Sequence, residues 1–158
     1  MKKLKKEEEL KFLLSTSNEK LMYVANFGIC PPNQEKLMSN HQEIFLEVAP
    51  SCKNLSQDIL SAMIEAKDKR YIDVVMTRCL SEDNQLKFIE HYPQKVNLYL
   101  DNLEKLLPED RGAYLSREAE DFYQSLCEKD TSLVRLKRTL SHKSAGNCPF
   151  EGLAGLLG

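Results

Sequence analysis

Asn33-Gln34-Glu35-Lys36-Leu37-Met38 returns 51 residues later as Asn84-Gln85-Leu86-Lys87-Phe88-Ile89. A shorter echo, Asn18-Glu19-Lys20-Leu21-Met22, precedes both copies. Repetition at a period of tens of residues marks chains built from similar helical units. Such units bury a core by stacking, and they usually work by presenting a surface to a partner. In this reading the phrase opens a short helix each time, with Asn as a cap and Lys facing solvent.

The flanking sequence is punctuated for further helices. Residues 4–15 carry Leu4, Leu10, Leu13 and Leu14 at the spacing of one helix face. Ser17 or Asn18 caps a second helix reaching Phe27, with Leu21, Met22, Val24 and Ala25 as its apolar positions. Gly28 stops it, and Pro31-Pro32 breaks the chain because proline cannot continue a preceding helix. Asn33 to about His41 and a following stretch to Val48 form two more helices, ended by Pro50. Leu55-Ser56-Gln57-Asp58 opens a helix with Ile59, Leu60, Met63 and Ile64 inward, and Asp68 starts another. Ser81 or Asp83 caps the helix of the second copy, and Pro93 suits the first turn of the next. Leu115-Ser116-Arg117-Glu118 echoes Leu55-Ser56-Gln57-Asp58, and Asp130-Thr131-Ser132 caps a last helix.

The fold class expected is therefore all-α, either a short helical repeat of α-solenoid type or a compact multi-helix bundle. One helical domain spans residues 1–140 and divides into related halves at 33–80 and 84–140. The unit lengthens from 51 to about 60 residues through the Leu103–Gly112 connection. Residues 141–158 hold four of the six glycines and read as a flexible tail with an apolar patch, Phe150, Leu153, Leu156 and Leu157. No Val/Ile/Thr-rich alternating run suggests a strand.

Bulk properties narrow the function. The 158 residues suffice for one core, and a net charge of −2 argues against a general polyanion binder. No apolar run reaches the roughly 18 residues of a membrane span. The basic start, Lys2 to Lys6, is interrupted by Glu7, Glu8 and Glu9, so Sec export is not expected. Five widely spaced cysteines (Cys30, Cys52, Cys79, Cys127 and Cys148) favour free thiols in a reducing, cytoplasmic compartment.

Residues with chemical capability do not assemble into a known motif. Cys148, His142 and Asn147 have the types of a thiol hydrolase, but they crowd within seven positions of the glycine-rich tail. His41 and His91 lack a ligand spacing around them. Glu118 and Asp121 share a helix face without a sign of a cleft that would separate their pKa values. The basic stretch Arg135, Lys137, Arg138 lacks the interleaved aromatics of nucleic-acid surfaces. No cofactor or metal is expected. Tyrosines spread along the stack are better candidates, since each offers contact area with a polar tip. The residues expected to bind a partner are Tyr71, Tyr92, Tyr99, Arg135, Arg138, Phe150, Leu153 and Leu156.

The arrangement over roughly 18–140 resembles HEAT- and armadillo-type α-solenoids, whose own unit is shorter at about 40–47 residues. The resemblance implies an adaptor, scaffold or regulator that grips a protein partner along a groove. The Lys-, Asn- and Ser-rich composition with an apolar tail is also similar in style to bacterial effectors secreted by a non-Sec route into a host cell. The alternatives are a small helical enzyme or a nucleic-acid-binding regulator.

Overall fold

The structure is a computed structural model that describes residues 1–106 and 115–134. Helices take 71% of these residues and no strand occurs among them, so the fold is all-α. In order they are α1 (Lys6–Leu14), α2 (Lys20–Phe27), α3 (Pro31–Asn40), α4 (Gln42–Val48), α5 (Gln57–Glu65), α6 (Lys69–Val75), α7 (Glu82–His91), α8 (Val96–Leu106) and α9 (Arg117–Lys129). Short 3-10 turns, Ala49–Ser51 and Pro93–Lys95, follow α4 and lead into α8. No described helix is long and apolar enough to cross a membrane. The chain divides into two compact units, Met1–Ile59 and Leu60 onward, with the division inside α5.

In the first unit the core is Leu13, Tyr23, Val24, Ile29, Leu37, Phe45, Val48, Ala49 and Cys52. In the second it comprises Ile64, Tyr71, Val75, Leu80, Phe88, Ile89, Val96, Tyr99, Leu103, Ala119 and Tyr123 among others. Each large apolar side chain buried in this way contributes about 1.5–3 kcal/mol. That driving force matters more than propensity in helices of seven to thirteen residues, which are too short to persist alone.

The Asn-Gln pairs are not caps. Cys30 precedes α3 and Ser81 caps α7, so Asn33/Gln34 and Asn84/Gln85 are the third and fourth residues of their helices. All four side chains are buried. Gln34 donates from Nε2 to the Ile29 carbonyl at 2.8 Å, and its Oε1 accepts from the Ser56 N–H at 3.2 Å. Gln85 donates to the Leu80 carbonyl at 3.1 Å, and its Oε1 accepts from the Ser116 N–H at 2.8 Å. Ser56 and Ser116 each accept a first-turn N–H, from Ile59 and Ala119, at 3.1 Å. One glutamine thus joins the loop before its own helix to the cap of a later one. The lysines differ between the copies. Lys36 is exposed, as expected, whereas Lys87 bonds Ser61 and pairs with Glu65 at 2.7 Å.

The agreement extends along the chain. α1 spans 6–14 and α5 57–65, while α3 spans 31–40 and α7 82–91, so one 51-residue step carries each helix onto its counterpart. His41 and Tyr92, which end α3 and α7, have nearly the same backbone, φ −139 and ψ 56 against φ −136 and ψ 54. Buried Phe45, Val48, Ala49 and Cys52 step onto buried Val96, Tyr99, Leu100 and Leu103.

The first unit has an additional lock. Asn54 donates to the Ile29 carbonyl and accepts from the Ile29 N–H, both at 3.0 Å, as a paired strand would. Gly28 makes room for it. At φ 70 and ψ −161 its backbone suits glycine, and a Cβ there would lie 2.2 Å from Asn54 Oδ1.

The expected free thiols are found at Cys30, Cys52 and Cys127, whereas Cys79 is disulfide-bonded. Spacing along the chain does not report distance between thiols in space. The helix expected after Asp130-Thr131-Ser132 lies largely outside the described residues, as does the 141–158 tail.

Two substitutions test these linkages. Gln85→Ala strands the Leu80 carbonyl and the Ser116 N–H together, and urea unfolding is expected to show a loss of about 1–3 kcal/mol. Gly28→Ala is expected to cost a similar amount, about 1–3 kcal/mol, because strained backbone and a displaced Asn54 coincide.

Candidate functional site

Of the apolar positions expected on α2, Val24 is buried, whereas Leu21, Met22 and Ala25 are exposed. The buried positions are Lys20, Tyr23 and Val24, with Phe27 half-buried at the next turn. Leu21 and Met22 are 45% and 59% exposed, although they are the helix's apolar choices by sequence. Both sets have helical spacing, and packing of the Tyr23 ring selects between them. That ring makes edge contact with Phe12 at 5.4 Å and a tilted contact with Phe27 at 5.2 Å.

α1 is likewise offset. Glu9 is 1% exposed beside buried Leu13, while Leu14 faces out. Glu9 accepts from the Tyr23 hydroxyl at 2.9 Å, the Cys30 N–H at 2.9 Å and Asn33 Nδ2 at 2.7 Å. A buried carboxylate with three donors is an acceptable core group. Burial pushes the Tyr23 hydroxyl up to about 12, so it remains a donor at neutral pH.

Where the chain passes from α1 to α2 it forms one wall of an open cleft of about 520 Å³. Ser15 to Asn18 line it together with Leu14, Lys20, Leu21, Ile44 and Glu47. The corner is fixed by its own hydroxyls. Ser15 Oγ donates to the Phe12 carbonyl at 2.6 Å and accepts from the Ser17 N–H at 3.3 Å, and Ser17 Oγ accepts from the Glu19 N–H at 3.1 Å. Side-chain-to-backbone bonds of this kind hold a tight connection without a regular element. The cleft lies entirely within the first unit.

The residues expected to bind a partner fare unevenly. Tyr71 and Tyr99 are each 1% exposed and offer no area to a partner. Tyr99 instead bridges the second unit, donating to the Arg78 carbonyl at 2.8 Å and accepting from the Leu80 N–H at 3.3 Å. Tyr92 is half-buried at the end of α7 against Phe88, with ring centres 5.9 Å apart. Arg135, Arg138, Phe150, Leu153 and Leu156 lie outside the described residues. By sequence Leu14, Leu21 and Met22 are apolar helix-face positions, not partner-binding ones, and Lys20 has no role assigned. Lys20 occupies the i position of an i, i+3, i+4 set with Tyr23 and Val24, and that was the one sequence signal for its burial.

No group of three metal-ligating side chains occurs among the described residues, and His41 and His91 sit at helix ends. No protein-family model, curated protein or solved structure matches the chain.

The tyrosines can be told apart by removing one oxygen. Tyr99→Phe leaves the buried Leu80 N–H without its acceptor and should cost about 1–3 kcal/mol in urea. The Tyr92 hydroxyl is buried without a hydrogen-bond partner among the described residues. Tyr92→Phe should therefore be neutral or slightly stabilising in the same assay.

Proposed function

We propose that the chain is a protein-interaction module, built from a duplicated helical unit, that holds a segment of a partner protein in the cleft of its first unit. The observation that carries this reading is the exposure of Leu14 and Leu21 in the lining of a cleft, with exposed Met22 following Leu21 in the chain. Exposed apolar side chains clustered at a concave surface mark recognition sites in soluble proteins. Methionine in particular adapts its shape to different partners. The 51-residue correspondence of α1 with α5 and of α3 with α7 supports the duplication, as do the two glutamine bridges. An adaptor role also accords with the resemblance to α-solenoid repeats.

A photo-cross-linking residue at position 21 tests the reading. It should capture one protein in near-stoichiometric yield, and the same group at exposed Lys36 should not. The captured protein, purified, should bind the intact chain, and Leu14→Glu should weaken that binding tenfold or more while leaving the circular dichroism melt unchanged. Equal capture from both positions, or full binding by Leu14→Glu, would overturn the cleft as the seat of a partner.

A further inference from the structure

The first unit buries two ionisable side chains on its helix faces and provides for only one of them. Glu9 has its three donors. Lys20 is 7% exposed, and among the described residues it has neither an ion pair nor a hydrogen bond. A lysine buried to this degree packs its alkyl stem and turns its charged head toward water. Its amine is not one of the sealed polar atoms, and Lys20 lines the cleft, so the cleft is its outlet.

The surroundings of Lys20 add donors. Ser17 Oγ is occupied as an acceptor from Glu19, which leaves its own O–H free to donate. Glu19, the cap position of α2, makes no side-chain bond to the first turn, so that end of the helix keeps unshielded N–H groups and a positive partial charge. Glu47 opposes these from the α4 side. It is exposed and solvated, and it makes no ion pair with Lys20. Leu14, Leu21 and Ile44 supply apolar wall. A volume of about 520 Å³ exceeds what a single oxyanion fills and suits several side chains of a peptide.

We propose that the cleft recognises an acidic-apolar segment of a partner protein, whose carboxylate meets the Lys20 ammonium while its neighbouring apolar side chains pack on Leu14, Leu21 and Ile44. Charge complementarity selects this occupant. The Lys20 stem is buried on the helix face while its ammonium opens into the cleft with no ion pair among the described residues, so a carboxylate there supplies a counter-charge. A charge-assisted hydrogen bond in such a setting is about twice as strong as a neutral one.

This inference rests on the cleft being the seat of a partner, and the test separates the two. Peptides selected on the intact chain from a random phage-displayed dodecapeptide library should carry Asp or Glu next to apolar residues. The best of them, labelled and measured by fluorescence anisotropy, should lose tenfold or more in affinity to Lys20→Met. Lys20→Arg should retain most of the binding, Glu47→Gln should strengthen it two- to threefold, and exposed Lys36→Met should change nothing. Replacing the peptide's carboxylate by an amide should cost the wild type tenfold and cost Lys20→Met nothing. If selected peptides bind, and lose binding with Leu21→Glu but not with Lys20→Met, the cleft reading survives and carboxylate recognition is overturned. If inorganic phosphate displaces the probe at low concentration while the acidic and amide peptides bind alike, the site is a phosphate site and the inference fails. If no peptide depends on Leu21, both readings fail together.

Discussion

Burying an amide side chain is tolerable only when each of its polar atoms finds a partner, and Gln34 and Gln85 are held to that constraint. Each has its N–H pointed at a carbonyl five residues back and its oxygen at the N–H of a capping serine far ahead. The bonds are ordinary in length. Their consequence comes from what they connect, since the loop before a helix and the cap of a later helix cannot drift apart without stranding three buried polar groups. Much of each unit follows from this. Ile29 and Leu80 are fixed in the core at the donor end, and α5 and α9 start where their serines are held at the other.

Many helix ends were legible in the residues, although α2 is preceded by Glu19 in place of Ser17 or Asn18, and α3 opens at Pro31 in place of Asn33. Ser81, Ser116 and Asp68 all cap as their positions suggest, Gly28 ends α2, and Pro31, Pro32, Pro50 and Pro93 fall at a first turn or in 3-10 turns. These are local effects, decided within four residues by missing hydrogen-bond partners and fixed φ angles. Which face of a short helix turns inward was much less legible. α2 has only eight residues, and the expected set, Leu21/Met22/Val24/Ala25, overlaps the buried one, Lys20/Tyr23/Val24, at Val24 alone. The aromatic packing of Tyr23 and its bond to Glu9 decide the matter, and both depend on another helix. The Asn-Gln phrase was misread for the same reason. Asn favours caps in general, but here Cys30 and Ser81 already stand at the helix starts.

Tyr71 and Tyr99 are held in the core and not at the surface. A ring with a polar tip suits an interface because one end tolerates burial and the other needs a partner. The same property suits a core position next to an unpaired backbone group, and Tyr99 fills that role between Arg78 and Leu80. Tyr123 does so at the end of the second unit, where its hydroxyl, pushed up to about 12 by burial, donates to the Val134 carbonyl. Interface and core are distinguished by exposure, which sequence alone does not report. The exposed apolar side chains, Leu14, Leu21 and Met22, look by composition like ordinary core residues.

A comparison within the chain shows where selection has departed from the cheapest core. The 51-residue step that carries α1 onto α5 carries Glu9 onto Leu60, and the same step carries Lys20 onto Tyr71. Leu60 and Tyr71 are buried, so apolar or aromatic side chains serve those positions in the second unit. Replacing buried charges by well-packed apolar residues is often neutral or stabilising. A fold needing only stability had that solution available in its own sequence. The first unit instead keeps a carboxylate that accepts from three donors and an ammonium that has no ion pair or hydrogen bond among the described residues. Glu9 can be understood as the organiser of the loop at Cys30 and Asn33. Lys20 makes no ion pair or hydrogen bond among the described residues, so its burial rests on the packing of its stem, and its amine is left to the cleft that it lines.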